Sequence, residues 1–522
     1  MTVQQKAFKS RRRYNQWVTN QTLEDFALRY TPVSARRWSA KRVVMTALSA
    51  ITFLALEAIG GALTLTYGFN YVVVAVILVS IIIFALSMPI AINAAKNGLD
   101  IDLLTRGAGF GYLGSTVTSL IYASFTFIFF ALEAAIMAMA LNMLFGLPLH
   151  FGYLIGSVVV IPLVTWGFTF ISRFQQFTQF CWLALQLLPF IFILIREHHV
   201  LQNWIDFPGF ITARDGSFDF LQLGAVCSVL LSLVSQVGEQ VDQVRFLPKP
   251  QHPARWRWYG AVIAAGPGWV VIGAIKILLG SFLAVLAFNY GLGAELASEP
   301  THMYLVAFSY VTHSSSTLLA LTGIFVVLSQ LKINVTNAYA GSIAWSNFFL
   351  RLTHRHPGRV VWLFFNVGIA LLLMELGVYR VFEDILGIYA VAATSWLGSV
   401  VADLTLNKWL KLRPAEIEFR RAYLYDINPV GIGSMTLAML CGLSAWMGWL
   451  GHPLQVFASM LSLCLTFITA PFIAWLTRGR YYFSRTPVQV TATECCVCGN
   501  YFEKPEMSYC PFYQGSICSL CC

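Results

Sequence analysis

Charged residues stand inside several otherwise apolar stretches of this sequence. Lys332 follows the apolar run "LLALTGIFVV" and lies in "LSQLKINVTNAYAG", among several amides. Glu57, Glu133 and Lys276 have similarly apolar surroundings. An unpaired ammonium buried in hydrocarbon costs about 2.5–3.5 kcal/mol even on a lenient scale, so such residues face a protein interior and mark candidate ion or ligand sites.

A second chemical pattern is the cysteine-rich end, "ECCVCGNYFEKPEMSYCPFYQGSICSLCC". It contains two C-x₂-C pairs, each able to place two thiolates on one ion, and two pairs complete a tetrahedral site. We predict a zinc site, with an iron–sulfur cluster as the alternative. Its candidate ligands are Cys495, Cys498, Cys510, Cys518 and Cys521.

The composition is that of a polytopic membrane protein. Hydrophobic residues make up 57% of the chain and charged residues only 11%, against about 25% in a soluble protein. A membrane span needs roughly 20 apolar residues. The sequence predicts twelve spans, within windows 43–67, 71–93, 114–144, 152–172, 178–195, 219–242, 259–288, 304–345, 359–378, 384–406, 428–447 and 453–477. The eighth window is long enough for a helix with an interfacial extension.

The distribution of Lys and Arg predicts that both termini are cytoplasmic. About 29 of the 34 Lys and Arg then lie inside, whereas Arg196, Arg214 and Arg380 lie outside. We expect a basic cytoplasmic segment (1–42), a transmembrane domain (43–477) and a cysteine-rich tail (478–522), in the inner (plasma) membrane. On the reducing side, metal binding is favoured over disulfides. The net charge of +10 reflects topology and contact with anionic lipid, not nucleic acid.

No order of nucleophile, base and orienting residue stands out, so an enzyme is not expected. The nine His fall mostly in loops, and His198 and His199 are at most an incidental metal site.

Two spans are interrupted by polar residues and glycine at related places of a two-fold repeat. The first reads "TFLALEAIGGALT" and contains Glu57 and Gly60; the sixth reads "LVSQVGEQVDQVRF" and contains Gln236 and Glu239. Polar, glycine-broken segments in corresponding positions of two halves indicate an inverted-repeat transporter with a site near the midplane. A kinked helix with a snorkelling glutamate is the alternative for each.

Three segments carry a resemblance to a known family. They are "NGLDIDLLTRGAGFGYLGS" (Asn97 to Ser115), "VDQVRFLP" (Val241 to Pro248) and "TNAYAGSIAWSN" (Thr336 to Asn347). In this order they resemble the nucleobase–cation symporters, the purine/cytosine permease-like family, over roughly residues 40–477. The resemblance implies an all-α membrane protein with twelve helices: a LeuT-type five-plus-five inverted repeat plus two helices. Members of that family move nucleobases, hydantoins or allantoin with a proton or sodium ion.

The resemblance also implies where a ligand would bind. Where family members usually have a Trp in the third helix, this chain has Phe129 and Phe130, and Glu133 follows one turn later. The family motif places a ligand-binding Asn at Asn337. The predicted substrate contacts are Glu57, Gly60, Phe129, Glu133, Gln236, Glu239 and Asn337. Several carboxylates, each able to accept paired N–H donors, favour a purine-type ligand.

Lys332 stands where sodium-using members of the family have hydroxyl residues. We expect its ammonium to replace the ion and to donate to carbonyls of the broken first span, which predicts sodium independence. An ion pair of Lys332 with Glu57 or Glu133 is the alternative. Lys276 matches no family motif and is a candidate for a structural ion pair. Asp242 and Arg245 are expected to form a cytoplasmic gate or ion pair rather than ligand contacts.

These patterns predict a secondary active transporter of nucleobases or related heterocycles that is coupled to protons rather than sodium. The tail resembles the junction in bacterial hybrid sensor histidine kinases in which a permease-like module precedes signalling domains. The alternative is therefore a ligand-sensing input module, with or without transport, followed by downstream signalling domains in a longer protein. No phospho-acceptor His box or ATP-binding Gly motif occurs in the 522 residues.

Overall fold

The computed structural model describes residues 26–27, 29–197, 199–211, 218–250, 255–353, 357–377, 382–488 and 490–522, with 382–384 described by their backbone alone. The expectations for His198, Arg214, Arg380 and most of segment 1–42 lie outside these residues. Within the described residues, nine helices are long and apolar enough to cross a membrane, and Leu149–Thr165 is a shorter apolar one. The chain is a multi-pass membrane protein whose membrane-spanning part is all-α.

The helices overlap the twelve predicted windows, and we number them by these windows. The nine helices counted above are spans 2, 3, 5 to 8 and 10 to 12. Spans 1 to 6 are Ala40–Ser49 with Ala55–Tyr67, Phe69–Asn97, Ser115–Phe145, Leu149–Val158 with Val160–Thr165, Gly167–Arg196, and Phe220–Leu231 with Ser232–Ser235 and Gln236–Val244. Spans 7 to 12 are Arg255–Ala265 with Trp269–Asn289, Ser315–Thr353, Arg359–Glu375, Phe382–Ala402 with Asp403–Asn407, Pro429–Trp446, and Ala458–Leu476. Shorter connecting helices are Val33–Ala35, Ile101–Thr105, Arg106–Phe110, Val200–Ile205, Ala294–Ala297, Pro300–Ser309, Arg421–Tyr423 and His452–Val456.

Span 8 differs from its predicted window of 304–345. The start of that window belongs to the separate helix Pro300–Ser309, and span 8 itself runs over Ser315–Thr353. The break falls at the polar sequence "YVTHSS", because serine and threonine compete with helical backbone bonds and favour caps and turns.

Span 1 is broken, but not at its glycines. Its first helix ends at Ser49 and its second begins at Ala55, so Glu57 and Gly60 lie within a regular helix. The β-branched and aromatic residues of "AITFL" have low helix propensity. Thr52 donates its hydroxyl to the Ser329 carbonyl of span 8 at 2.8 Å, which ties the linker to span 8. The prediction that Glu57 and Gly60 form the break is wrong in position by about one turn.

Gly60 instead allows two spans to approach closely. A Cβ at this position would lie 2.0 Å from the carbonyl oxygen of Ile277 in span 7. From the opposite side, a Cβ on Gly280 would lie 2.2 Å from Cα of Glu57. Small residues at such crossings let helix backbones pack directly against each other. Gly60 therefore serves packing against span 7.

Span 6 narrows from an α-helix to a 3₁₀ turn at Ser232–Ser235 before it continues as Gln236–Val244. Its Gly238 faces span 3, where a Cβ would lie 2.4 Å from the Tyr122 ring. Irregular backbone thus occurs in both spans in which the sequence predicted it. Span 3 packs most extensively against span 8, and these two, with spans 1 and 6, surround the interior that holds the candidate residues.

The tail is a small separate cluster. The 3₁₀ turn Lys504–Glu506 leads into strand Met507–Cys510, which pairs antiparallel with strand Gly515–Cys518. The packed residues include Val497, Phe502 and Ile517 together with four cysteines. A core this small is typical of modules that depend on a metal.

Candidate functional site

The break in span 1 is capped by a carboxylate from span 3. Glu133 is fully buried, and its two oxygens accept hydrogen bonds from the backbone N–H groups of Leu54 and Ala55, each at 3.2 Å. The amide oxygen of Gln330 in span 8 approaches the same Leu54 N–H at 3.4 Å. The first N–H groups of helix Ala55–Tyr67 therefore find their partners in side chains from two other spans.

Two predicted site residues of span 6 meet each other. The amide of Gln236 donates to Oε2 of Glu239 at 2.8 Å, and both side chains are buried. The other oxygen of Glu239 has no hydrogen-bond partner among the described residues. Glu239 thus keeps one acceptor free inside the protein.

Phe129 lies beside the break, as the site prediction requires. Its ring contacts Phe53 of the linker edge-on, with centroids 6.4 Å apart, and Phe125 at 4.6 Å. Phe130, which the sequence also offered as a stacking residue, packs in a different cluster with Phe168 and Tyr339. Of the two rings, Phe129 is therefore the one that contacts the linker of span 1.

Asn337 is buried in span 8, and its amide donates to Oδ1 of Asn334 at 3.3 Å. The Asn334 amide nitrogen and the Gln330 amide nitrogen both lack a partner among the described residues. Gln330 and Asn334 are four residues apart and hence on one face of the helix. The predicted site residues include neither of them, although both lie in the polar sequence around Lys332.

Lys332 points to span 5 rather than to the broken span 1. Its amine donates to the backbone carbonyl of Gln175 and to the Thr178 hydroxyl, each at 3.0 Å, and the Gln175 amide donates back to the Lys332 carbonyl at 2.7 Å. The expected donation to carbonyls of span 1 is not made among the described residues. The rotation of span 8 explains this, because Gln330, two positions earlier and about 160° around the helix, occupies the face toward span 1, whereas the Ser329 hydroxyl accepts from Trp182 of span 5.

The buried partner of Glu57 is Lys276, not Lys332. Nζ of Lys276 lies 2.5 Å from Oε1 of Glu57, and both side chains are almost completely buried. Tyr304 also donates its hydroxyl to Oε1 at 3.2 Å and accepts from the Gln186 amide at 2.7 Å. Lys276 is thus the structural ion-pair partner that the sequence left open, and the proposed pairing of Lys332 with Glu57 or Glu133 is wrong.

The three family-like motifs meet on the side of the spans where the tail lies, which we call the tail side. Arg245 of the second motif approaches Asp100 of the first at 3.4 Å and donates to the Tyr339 hydroxyl of the third at 3.3 Å. The side chains of Arg245 and Asp100 are fully buried. Asp242 accepts from Tyr122 at 2.9 Å. Arg245 forms an ion pair as expected, but its partner comes from the loop after span 2.

The tail brings four cysteines together. The sulfurs of Cys495, Cys498, Cys518 and Cys521 all lie within 4.8 Å of one another, and all four residues are buried. Zn–S bonds of 2.3 Å in a tetrahedron place sulfurs about 3.8 Å apart, and Cys498 and Cys518 are separated by 3.9 Å. These residues can hold a metal ion. The inclusion of Cys510 is wrong, because it lies in a strand opposite Gly515 and outside the cluster.

The tail docks against residues that precede span 1. Arg29 forms a two-point contact with Glu506, at 2.8 and 3.3 Å, and the Glu506 side chain is fully buried. Burial favours a raised pKa for Glu503, but hydrogen bonds from the Val33 and Ser34 backbone and from Tyr30 outweigh it and lower that pKa.

The same segment reaches the loop after span 2, where the Thr31 N–H donates to the Gly98 carbonyl at 2.8 Å. On the other side of the tail, Arg420 donates to the Met507 carbonyl at 2.9 Å. The tail therefore touches elements next to Asp100.

No family model matches the sequence, and no curated protein matches it. Several solved structures, in contrast, align with this chain. Mhp1, a nucleobase-cation-symport-1 family transporter, in a closed conformation with bromovinylhydantoin bound, aligns at 16% identity and a TM-score of 0.62, over 86% of this chain and 95% of that one.

A Na⁺-coupled sialic acid symporter aligns at 14% identity and a TM-score of 0.58, over 90% and 96% of the two chains. The manganese transporter of Eremococcus coleocola aligns at 11% identity and a TM-score of 0.52, over 84% and 95%. The resemblance to nucleobase–cation symporters and the LeuT-type fold class are thereby confirmed at the level of the fold. These neighbours are transporters and not enzymes.

Proposed function

We propose that this chain is a secondary active transporter of purine or pyrimidine nucleobases or related heterocycles that works by alternating access. One observation carries the proposal: spans 6 and 8 hold buried donors and acceptors that have no partner among the described residues. Three of them are Oε1 of Glu239 and the amide nitrogens of Gln330 and Asn334, and Gln330 contacts the break in span 1 through its amide oxygen. A buried polar atom left unpaired costs about 1–3 kcal/mol, which a bound ligand with matching groups would recover.

The chemistry of these groups suits a flat heterocycle. Glu239 accepts from a ring N–H, whereas Gln330 and Asn334 donate to a carbonyl, and nucleobases and hydantoins carry both groups on one edge. Phe129 offers an apolar face beside the break. Glu57 and Gly60 leave this proposed set, because one is held by Lys276 and the other packs on Ile277.

We further propose coupling to protons rather than to sodium. The Ser329 carbonyl that faces the linker of span 1 is already bound by Thr52, and the ammonium of Lys332 lies in the next turn of the same helix. A fixed positive charge nearby disfavours a bound cation. Arg245, Asp100 and Tyr339 would act as the tail-side gate, which must separate for the site to open on that side.

The test is uptake into proteoliposomes of radiolabelled hypoxanthine, uracil and hydantoin, driven by a proton or a sodium gradient. We expect accumulation under a proton gradient that a protonophore abolishes, and none from sodium alone. Asn337→Ala should lose uptake, whereas Asn142→Ala, at the exposed end of span 3, should retain it. Sodium-driven accumulation would refute the coupling, and failure of all three substrates would refute the substrate class.

The docked tail favours a second candidate function, a ligand-sensing input module. The tail contacts Arg29 and, through the segment before span 1, the loop that holds Asp100, so opening of the gate would disturb it. We propose zinc as the metal of its four-cysteine cluster. A sensor predicts that a binding ligand changes trypsin cleavage at Arg478 or Arg485 without flux into proteoliposomes. Flux with an unchanged cleavage pattern favours the transporter.

A further inference from the structure

Glu133 occupies the place where a half-helix normally meets an anion. The helix Ala55–Tyr67 has 13 residues, and its N-terminus points into the protein at the break. The free N–H groups and the helix dipole at such an end attract negative charge. In broken-helix transporters, these ends face the anionic groups of the substrate. Here both oxygens of Glu133 already accept from the N–H groups of Leu54 and Ala55.

The surrounding groups confirm that the anion position is filled from within. Glu133 is fully buried, and the amide oxygen of Gln330 also faces the Leu54 N–H. The amide nitrogen of Gln330 remains unpaired, and so does one oxygen of Glu239. What remains open to a ligand is therefore the amide nitrogens of Gln330 and Asn334 and one oxygen of Glu239, whereas the two N–H groups that Glu133 caps, those of Leu54 and Ala55, are not left for a carboxylate.

We infer that Glu133 is a specificity-determining residue, an internal substitute for a ligand carboxylate that restricts the site to ligands without one. The inference rests on the proposed function and narrows its substrate class. A carboxylated ligand would find the helix end occupied and would meet the carboxylate of Glu133, which accepts from both N–H groups. An uncharged heterocycle meets neither obstacle, because it needs only the groups that remain unpaired.

The first experiment tests whether the Glu133 carboxylate occupies a place that can bind a separate anion. Replacing Glu by Ala removes four heavy atoms, and acetate contains four, so acetate can refill the space in Glu133→Ala. We expect 50 mM acetate, compared with chloride at the same ionic strength, to raise the Tm of the purified full-length variant by about 2–4 °C. The wild type and Glu133→Gln, in which the space is filled, should shift by less than about 1 °C.

A second experiment measures the specificity itself with a matched pair, uracil and its 6-carboxylate, orotate. We expect the wild type to bind uracil at least about 100-fold more tightly, and Glu133→Gln, which lacks the charge, to narrow that ratio at least about tenfold. Glutamine has nearly the shape of glutamate, so the ratio of the uracil and orotate affinities can be measured in Glu133→Gln even if Glu133→Ala does not fold.

The outcomes separate the two proposals. If acetate raises the Tm of the wild type as much as that of Glu133→Ala, or raises neither, Glu133 does not fill an anion-binding position and the inference fails. A wild type that binds orotate as well as uracil also overturns it. If the wild type binds neither compound, nor hypoxanthine or hydantoin, the nucleobase proposal fails, while the response of Glu133→Ala to acetate still decides the role of Glu133.

Discussion

Lys276 and Glu57 form a buried ion pair, with 2.5 Å between Nζ and Oε1, across the contact of spans 7 and 1. The pair is shielded on one side by the Trp182 ring, whose centroid lies 5.5 Å from Nζ. Spans 1 and 7 are also joined by the close approach at Gly60 and Gly280. The second half of span 1 and the second half of span 7 are thus held as one unit.

Removing one partner of this ion pair should destabilise the folded protein far more than removing both. Lys276→Met leaves an uncompensated carboxylate in the interior, and we expect a loss of about 3–5 kcal/mol. The double variant Glu57→Gln with Lys276→Met should recover at least half of that loss. Thermal unfolding in detergent, followed by tryptophan fluorescence, completes the double-mutant cycle. A loss in the double variant equal to the sum of the losses in Lys276→Met and Glu57→Gln would show that the two residues do not interact.

The direct packing at Gly60 predicts a large effect from one methyl group. A Cβ there would lie 2.0 Å from a backbone oxygen, so we expect Gly60→Ala to destabilise the protein by at least about 1–3 kcal/mol. Gly260 is the matched control, because it lies in a helix with nothing within 4 Å of an added Cβ. Gly260→Ala should be neutral or stabilising by up to about 1 kcal/mol. Equal effects on Tm would contradict the close approach.

The sequence was sufficient for the fold class because the span pattern and three ordered motifs are long-range signals. Asp100, Arg245 and Tyr339 come from these motifs and meet in one cluster. The position of the break in span 1 could not be predicted, because it depends on Glu133 and Thr52 contacts with other spans rather than on the local glycines.

The direction of Lys332 was beyond sequence reasoning for a related reason. A residue two positions along a helix faces about 160° away, and only the packing of span 8 decides whether Lys332 or Gln330 meets span 1. The four-cysteine cluster shows the opposite case. The spacing of the two C-x₂-C pairs identified all four cysteines that the structure brings together, and the fifth candidate, Cys510, lies outside the cluster.

The four-cysteine cluster predicts that replacing one of its own cysteines abolishes metal binding, whereas replacing Cys510 does not. Cys518→Ser should lose the metal, because a tetrahedral thiolate site requires all four ligands. Cys510→Ser, in the preceding strand but outside the cluster, should keep one zinc per chain. Metal content by plasma mass spectrometry, on protein purified without a histidine tag, measures both. Loss of zinc in both variants, or in neither, would refute the assigned ligand set.

The contact of Arg29 with Glu506 should hold the tail in place. Glu506→Ala leaves the Arg29 guanidinium without its two-point carboxylate partner, and we expect cleavage by trypsin between the last span and the tail to accelerate at least about tenfold. Glu494→Ala is the control, because Glu494 is an exposed carboxylate of the same tail. Equal cleavage rates in the two variants would show that the ion pair does not anchor the tail.

His302, in the helix Pro300–Ser309 between spans 7 and 8, gives a pH-dependent contribution to stability. Its ring hydrogen-bonds Glu299 at 2.8 Å, and this bond raises the pKa of His302 above 6.5. The folded state therefore binds the proton more tightly than the unfolded state. The stabilisation is complete below about pH 6.5 and is lost as the pH rises through the folded-state pKa.

The comparison of wild type with Glu299→Gln isolates the contribution that protonated His302 makes to the free energy of unfolding. Because the His302 side chain is 33% exposed, we expect less than about 1 kcal/mol, seen as a Tm difference of about 1–3 °C at pH 5.5 that disappears by pH 9. Glu295→Gln, which alters an exposed carboxylate one short helix earlier, should show no such trend. A Tm difference that is constant with pH, or that grows toward alkaline pH, would mean that protonated His302 does not stabilise the folded state.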